Sequence, residues 1–275
     1  MAKVFEENDI EILISTMNQA NLDFLLSMFP FEHFSNYNIL IVNQSKDNRL
    51  LSEYESVRVI NSPDLGLSKS RNLAIKNAIG KILIIADDDI TYQKDFINRI
   101  ISAYSKLNKA TIINFCAINE NGAYLKKYPN RTKIELNTFE IFNISSVEMT
   151  INKEKLDSVG IRFDENFGLG SSFEMGEETV FLFDLKRNNQ QIAFENQVIV
   201  KHESLTSSNK IDSLHKYYIY GALLARVIVT NYTFWLLTKL FFDIKQKKIK
   251  LSSFFKAINS AKKGQEKIKA MKYGK

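Results

Sequence analysis

The fold is decided by the stretch KILIIADDD at residues 81–89, where five apolar residues run directly into three aspartates. A continuous apolar run without alternating polar residues is typical of a strand that is covered on both faces. Shorter runs of the same kind occur at Ile10–Ile14, Asn38–Val42, Val57–Ile60 and Ala110–Phe115. The sequence therefore predicts a sheet of buried strands.

Stretches with helical spacing of apolar residues separate these runs. Leu67–Ile79 carries such a pattern and is followed by Gly80, which supplies a stop, and Asp95–Leu107 carries another. Alternating strands and helices predict an α/β fold with a mainly parallel sheet. Ligands of such sheets bind beyond the carboxyl ends of the strands, which is where the three aspartates lie.

Composition excludes several classes of protein. The chain has 275 residues, of which 45% are hydrophobic and 25% are charged, so a disordered chain is excluded. A single cysteine, Cys116, excludes a disulfide scaffold and a four-cysteine zinc site. The N-terminal residues lack the apolar stretch of a secretory signal, so we expect a cytoplasmic protein.

Charge is distributed unevenly along the chain. Residues 239–275 carry a net charge of +10, whereas residues 1–238 carry −4. The acidic body argues against a nucleic-acid partner, because such a protein needs a basic face on its fold. A basic segment beside apolar residues predicts contact with an anionic membrane surface, and a solvated terminus is the alternative.

The aspartate triplet is a candidate metal site. Three adjacent acids after a buried strand repel one another unless a cation or hydrogen-bond donors compensate. Asp87 and Asp89 occupy alternate positions, so both could face one ion, and carboxylate oxygens favour Mg²⁺ or Mn²⁺. The alternative is an acidic turn and N-cap before the helix at Asp95–Leu107.

Two further clusters could bind anions or move protons. The segment GLSKSRN at residues 66–72 opens a helix and contains Lys69 and Arg71, a pattern that suits phosphate binding, although Gly66 could simply turn the chain. Glu177 and Glu178 begin a later helix, where they complement its dipole or where one serves as a general base. The loop at residues 168–172 before them could form a lid or an acceptor wall.

A lone histidine completes the set of candidate residues. His202 follows the apolar run Val198–Val200, and a neutral imidazole there could complete a metal site. A structural role for the ring is the alternative.

Taken in order, these features resemble the family 2 glycosyltransferases of the GT-A fold. The resemblance extends from about Ile10 to about Ser204 and includes the first two strands, residues 66–72, the triplet, residues 163–170, residues 176–179 and His202. It implies a nucleotide-diphospho-sugar transferase fold, with a mainly parallel central sheet flanked by helices and a C-terminal helical extension. It also implies inverting transfer of a sugar from a nucleotide-diphosphate donor to the hydroxyl of a saccharide or lipid-linked acceptor, in surface polysaccharide or glycolipid assembly.

The resemblance assigns roles to individual residues. Asp87 and Asp89 match the DxD element, and with His202 they would hold Mn²⁺ or Mg²⁺ on the donor diphosphate. Glu178 falls at the catalytic base, after an acid matched by Glu177. The expected donor-binding residues are Ser15, Thr16, Asn43, Lys69, Arg71, Asn72, Asp87 and Asp88.

Two positions depart from the family pattern. Asn43 stands where the second strand usually ends in an aspartate that contacts the nucleobase, so a preference for uracil is less secure. Glu178 stands where aspartate is commoner, and its side chain reaches farther by about one carbon–carbon bond.

Two rival functions follow from the same residues. A sugar nucleotidyltransferase would carry a Gly-rich, Arg-containing loop after the first strand, and Ser15–Gln19 has neither residue. The other rival is a membrane-associated nucleotide-sugar-binding protein that has lost its chemistry. The sequence identifies neither the donor sugar nor the acceptor.

We predict a catalytic domain over residues 1–210 and a basic helical extension over residues 211–275. Ile219–Phe242 nears the length of a membrane span, but charged residues interrupt it, which favours helices packed on the body or lying in the membrane interface. Leu251–Met271 has the amphipathic pattern of an interfacial anchor, and a helix that forms a homo-oligomer would look similar. We therefore expect a peripheral protein on the inner face of the cell membrane.

Overall fold

The computed structural model describes residues 5–202, 212–228 and 230–273. Its strands are β1 Ile10–Met17, β2 Ile39–Gln44, β3 Val57–Ser62, β4 Ile82–Asp87, β5 Ile90–Tyr92, β6 Ile112–Ile118, β7 Met149–Asn152 and β8 Ile192–His202. Its α-helices are α1 Phe24–Met28, α2 Leu67–Asn77, α3 Phe96–Lys106, α4 Thr138–Ile141, α5 Lys153–Val159, α6 Glu177–Arg187, α7 Ser213–Val227, α8 Tyr232–Lys245 and α9 Phe254–Tyr273.

The strands form one sheet in the order β3-β2-β1-β4-β7-β6-β8-β5. Strands β3, β2, β1 and β4 are parallel, as the apolar runs predict, and Ser15 lies opposite Asp87 while Thr16 lies opposite Asn43. The other half is mixed, because the short strand β7 runs antiparallel to both β4 and β6 and β5 runs antiparallel to β8. Polar residues at the ends of β1, β2 and β4 therefore meet at one edge of the sheet.

Both faces of the sheet are covered, which explains the unbroken apolar runs. Ile12, Ile84 and their neighbours pack against α3 on one face, in a cluster that includes Phe96 and Ile100. Leu13 and its neighbours pack on the other face in a cluster with residues of α2, α6 and α7. Each fully buried aliphatic side chain contributes about 1.5–3 kcal/mol, so these layers hold the strand ends in place.

Helix α7 belongs to the packed body. It contributes Ile219 and Leu223 to the core cluster that also contains side chains of α6. Arg226, which interrupts the apolar run in the sequence, donates to Asp164 at 2.9 Å and to Asp184 at 2.6 Å. The predicted domain boundary after residue 210 lies outside the described residues.

Helices α7 and α9 cross at two glycines. A Cβ atom on Gly221 would lie 2.0 Å from the carbonyl oxygen of Ala261, and one on Gly264 would lie 1.8 Å from that of Tyr218. In the amphipathic segment predicted at Leu251–Met271, Ala261 and Ile268 are almost fully covered, whereas Leu251 and Phe255 are exposed. Among the residues placed by the structure, no helix combines the length and the hydropathy needed to cross a membrane.

Candidate active site

A cleft of about 210 Å³ opens beyond the carboxyl end of β4. It is bounded by the end of the sheet, by α2, by the start of α6 and by the end of β8. All five candidate catalytic and metal-binding residues line it, namely Asp87, Asp89, Glu177, Glu178 and His202, together with Arg71 from the expected donor-binding set. The predicted acid, base and ion-binding residues are thus brought to one place.

Arg71 lies at the centre of the cleft floor and is almost completely buried. Its Nη1 donates to Glu177 Oε1 at 2.7 Å, and its Nη2 donates to Asp87 Oδ1 at 3.0 Å and to Ser146 Oγ at 2.8 Å. Burial disfavours the charge of the guanidinium, but the neighbouring carboxylates hold the pKa of Arg71 above its usual value. This group, called here the Arg71 clamp, joins the end of β4 to the start of α6.

The two adjacent glutamates of α6 have different environments. Glu177 is held by Arg71, whereas Glu178 lines the cleft beside it. Burial and, to a smaller extent, the charge of Glu177 raise the pKa of Glu178 to about 8. A carboxylate with this proton affinity is well matched to a general base near neutral pH.

Asp89 and His202 also line the cleft and lie next to each other. The pairing of β5 with β8 places Ile90 opposite His202, and His202 Nε2 comes to 3.3 Å from Asp89 Oδ1. The hydrogen bond from this imidazole lowers the pKa of Asp89. Two ligands at right angles around Mg²⁺ are separated by about 3 Å, so the pair fits two neighbouring positions of such an ion.

The rest of a coordination shell would come from elsewhere. Within residues 5–202, 212–228 and 230–273, no group of three or more His, Cys, Asp or Glu side chains could hold a metal ion. Mg²⁺ is commonly bound through one or two protein ligands together with substrate phosphates and water, which is compatible with a site made by two side chains.

Each of the three aspartates binds a different partner. Asp87 is bound by Arg71, and Asp89 faces His202. Asp88 accepts hydrogen bonds from the Thr16 hydroxyl and, at 3.2 Å, from Gln19 Nε2. Asp88 therefore connects the end of β4, by hydrogen bonds, to the end of β1 and the segment that follows it.

Asn43 makes hydrogen bonds that an aspartate could not make. Its Oδ1 accepts from the backbone N–H of Gln19 at 3.1 Å, and its Nδ2 donates at 3.1 Å to the Gln19 carbonyl oxygen and to Asn61 Oδ1. A carboxylate has no N–H to donate, so it could not make the last two bonds. The departure from the family pattern thus has a structural reason at this position.

Residues 66–72 hold the loop at residues 163–170 against α2. Ser68 Oγ donates to the Phe167 carbonyl oxygen at 2.6 Å. The side-chain amide of Asn72 donates to the carbonyl oxygen of Phe163 and accepts from the backbone N–H of Phe163. Ser70 Oγ donates to Ser15 Oγ at 2.8 Å. These contacts give the segment a structural role at one end of α2.

Of the eight expected donor-binding residues, only Arg71 and Asp87 line the cleft, and the other six do not. Lys69 and Asn72 line a separate depression of about 390 Å³ on the surface of α2, and Lys69 is exposed there. Ser15 is buried against Ser70, and Asn43 is buried at the end of β2. The donor-binding roles of these four residues stay predictions.

Several residues that line the cleft were not singled out from the sequence, although the segments that contain them were expected to shape the pocket. Ser145 and Ser146 lie in the irregular segment before β7, and Glu174 and Met175 precede α6. Glu174 Oε2 is 3.5 Å from Nε2 of His215 in α7. Polarity could have marked the two serines and Glu174 but not Met175, and none of the four belongs to a spaced motif.

The chain has a mixed α/β fold with a large central sheet flanked by helices and a C-terminal helical extension, as GT-A glycosyltransferases do. The family model described as "Glycosyl transferase family 2" matches residues 11–154, and the chain belongs to that family. An "Uncharacterized glycosyltransferase" of Rickettsia felis (strain ATCC VR-1525 / URRWXCal2) is 27% identical over 136 residues. That match covers 46% of this chain and 22% of the relative, so the chain spans about a fifth of the relative's length.

Solved structures of S. aureus TarS share the fold. The crystal structure of TarS 1-349 has a TM-score of 0.57 at 16% identity and covers 91% of this chain and 78% of that chain. The same fragment in complex with UDP gives a TM-score of 0.56 at 14% identity, with 97% and 92% covered. In complex with UDP-GlcNAc it gives 0.56 at 16% identity, with 91% and 79% covered.

Proposed function

We propose that this protein transfers a sugar from a nucleotide-diphosphate donor to an acceptor hydroxyl, with inversion at the anomeric carbon. The observation that carries the proposal is the meeting of Asp89, His202 and Glu178 in one cleft at the end of β4. The pair Asp89–His202 suits a cation on a diphosphate, and Glu178 suits a base on the acceptor side. The TarS structures with UDP and UDP-GlcNAc support a donor of this class for the fold.

The chemistry needs a base and a departing diphosphate. Glu178 accepts the proton of the acceptor hydroxyl while that oxygen forms a bond to the anomeric carbon. The bond from the anomeric carbon to the diphosphate oxygen breaks on the opposite face, and the nucleoside diphosphate leaves with that electron pair. Attack from the face opposite the leaving group inverts the configuration.

Other residues position the reacting groups. The Arg71 clamp fixes Glu177, and thereby the first turn of α6, from which Glu178 reaches the cleft. Asp89 and His202 would hold Mg²⁺ or Mn²⁺, and Asp87 faces the same cleft with one oxygen bound to Arg71. When bound, the ion would offset the charge that develops on the leaving diphosphate.

A donor-binding experiment tests the proposal. A panel of nucleotide sugars and UDP is screened by thermal shift with and without Mn²⁺, using wild type, Asp89→Asn and the exposed-surface control Asp47→Asn. Binding raises the melting temperature through linkage, so we expect one donor to stabilise wild type and the control in the presence of Mn²⁺ and to stabilise Asp89→Asn much less. Equal stabilisation of all three proteins would remove Asp89 from the site, and no stabilisation by any donor would contradict the function.

Two further experiments distinguish the proposed function from its two rivals. A nucleotidyltransferase would form a nucleotide sugar from a nucleoside triphosphate and a sugar phosphate, and we expect no such product. A protein that only binds donor would keep its cellular function in Glu178→Gln, whereas we expect that variant to bind donor and to lose transfer.

Membrane association is the second part of the proposal. Because Ala261 and Ile268 of α9 are buried, the surface proposed to meet the membrane lies on α8 and at the start of α9. It presents six exposed apolar side chains: Phe234, Leu237, Phe241, Phe242, Leu251 and Phe255. Four lysines stand in the sequence between Phe242 and Leu251, at the end of α8 and directly after it: Lys245, Lys247, Lys248 and Lys250. Aromatic side chains beside lysines suit the interface of an anionic bilayer, and this supports the proposal that the protein acts on the inner face of the cell membrane.

Vesicle flotation tests this surface. We expect wild type to float with vesicles containing anionic lipid and the triple variant Phe234→Ser/Phe241→Ser/Phe255→Ser to stay in solution. The control Leu51→Ser/Ile79→Ser/Ile134→Ser removes three apolar side chains that are similarly exposed elsewhere, at 69%, 74% and 67%. Equal flotation of both triple variants would contradict membrane contact through α8.

A further inference from the structure

A groove of about 360 Å³ lies between α7 and α8, outside the residues used for catalysis. Its volume is larger than that of the catalytic cleft and falls within the usual range of small-molecule sites. The lining residues come from the segment before α6, from α7, and from α8 and the segment after it: Met175, Ser213, Lys216, Tyr217, Tyr220, Lys239, Asp243, Lys248 and Ile249. The groove is thus built by the helical extension, beyond the segment that the family model matches.

The groove adjoins the cleft. Met175 lines both of them, and it lies three residues before Glu178. Glu174, which lines the cleft, comes within 3.5 Å of His215, the neighbour of Lys216 in α7. A molecule that occupied the groove could therefore extend past Met175 towards the base.

The electrostatics of the groove are those of an anion site. Three lysines line it against a single acid, Asp243. Asp243 is buried, accepts from the hydroxyl of Tyr217 at 2.7 Å and is paired with Lys239. Lys216 and Lys248 form no ion pair with any residue whose position the structure gives, and both side chains therefore keep their charge for a ligand.

The aromatic residues add a second kind of contact. The side chains of Tyr217 and Tyr220 line the groove, and Lys239 Nζ lies 5.6 Å from the ring centroid of Tyr220. Tyrosine offers a flat apolar face together with a polar hydroxyl, a combination that suits the ring of a sugar. Lysine binds phosphate as a compact point charge.

We infer that this groove binds the acceptor and that the acceptor is a saccharide carrying a phosphate group. The inference rests on the proposed function, because it names the acceptor class for the same reaction. The phosphate would lie against Lys216 and Lys248, and the sugar would lie along the tyrosines with a hydroxyl directed past Met175 to Glu178. The phosphate could belong to a lipid-linked sugar or to a soluble phosphorylated saccharide, since the recognised group is the same.

Binding of a phosphorylated sugar without donor tests the inference directly. The protein is labelled with 3-fluorotyrosine, and the ¹⁹F resonances of Tyr217 and Tyr220 are assigned with Tyr→Phe variants. Glucose 1-phosphate should shift these two resonances, whereas methyl glucoside at the same concentration should shift them at least tenfold less. Equal affinity for both probes, or shifts confined to other tyrosines, would overturn the inference.

A pair of double variants tests the role of the lysines. Lys216→Gln/Lys248→Gln should weaken glucose 1-phosphate binding at least tenfold, and the control Lys262→Gln/Lys263→Gln on the exposed side of α9 should leave it within twofold. UDP binding should be the same in both variants, and this separates failure of the groove from failure of the proposed function. A groove variant that binds the probe within twofold of wild type would overturn the inference.

Two forms of the probe distinguish the sources of the phosphate. If the dodecyl phosphodiester of glucose binds at least tenfold tighter than glucose 1-phosphate, the acceptor is a lipid-linked sugar. Equal affinities indicate a soluble phosphorylated saccharide. Either result supports a phosphate site, whereas binding of neither form contradicts it.

Discussion

The Arg71 clamp and the crossing of α7 with α9 both hold distant segments of the chain together, but by different kinds of contact. Each joins segments that are far apart in the sequence. In the clamp, one guanidinium makes three directed hydrogen bonds to Glu177, Asp87 and Ser146. In the crossing, Gly221 and Gly264 lack side chains, so the backbones of two helices touch. The clamp therefore depends on what its side chain contributes, and the crossing depends on side chains being absent.

Substitution of the clamp should have the largest effect on stability. Arg71→Met removes the cation and leaves Glu177 buried beside Asp87 without compensation. Breaking a buried ion pair on one side costs about 3–5 kcal/mol, and we expect a loss of this size in the free energy of unfolding, measured by urea denaturation. The control Arg58→Met breaks the ion pair of a partly exposed arginine with Glu11 and should cost less. Equal losses would contradict a special role for the clamp.

Substitution of the base should affect the reaction more than the fold. Glu178→Gln keeps the size of the side chain and removes the proton acceptor, so kcat should fall by about a hundredfold to a thousandfold. Nucleotide binding, measured by calorimetry, should change little. A variant with kcat within threefold of wild type would show that another group accepts the proton.

The raised pKa of Glu178 gives this prediction a pH dependence. The base must be unprotonated, so kcat of wild type should rise up to about pH 8 and level off above it. The folded state holds the Glu178 proton more tightly than the unfolded state, so wild type should lose stability relative to Glu178→Gln as the pH rises from about 4.5 to about 8. Thermal unfolding of both proteins at pH 5 and pH 8 measures the difference, and a gap that does not change with pH would contradict the raised pKa.

Substitution at the helix crossing should have the smallest of the three effects. Gly264→Ala adds one methyl group at a point 1.8 Å from the Tyr218 carbonyl oxygen, so α9 must shift. Overpacking of this kind costs about 1–3 kcal/mol, which outweighs the gain of about 1 kcal/mol in helix propensity. The exposed neighbour Lys263→Ala should change stability by less than about 0.5 kcal/mol. Stabilisation by Gly264→Ala would contradict the close crossing.

The sequence predicts the sheet edge well because its features are local. Each apolar run corresponds to a strand, and the polar residues that follow lie at the strand ends, so Asp87 and Asp89 reach the cleft as expected. The partners of Arg71 were not predictable, since contacts across 106 residues to Glu177 depend on how the layers pack. An arginine can bind a carboxylate as well as a phosphate, so the segment at residues 66–72 could not by itself show that Arg71 pairs with Glu177 and Asp87.

The helical extension was harder to predict for a different reason. The amphipathic pattern of α9 indicates that one face of the helix is apolar, but it does not indicate what covers that face. The structure buries Ala261 and Ile268 of that face and leaves Phe255 exposed, as it does Phe234 and Phe241 of α8. Contact with a membrane stays a prediction for both helices. Glycines carry no chemical signal, so the crossing at Gly221 and Gly264 could not be anticipated from composition or spacing.

The most direct test of the account is a crystal structure with UDP and Mn²⁺ bound. The account predicts that the ion is bound by Asp89 and His202, that the diphosphate lies on the ion beyond the end of β4, and that Glu178 faces the space beside it. A nucleotide bound elsewhere on the protein, or an ion and diphosphate that contact neither Asp89 nor His202, would contradict it.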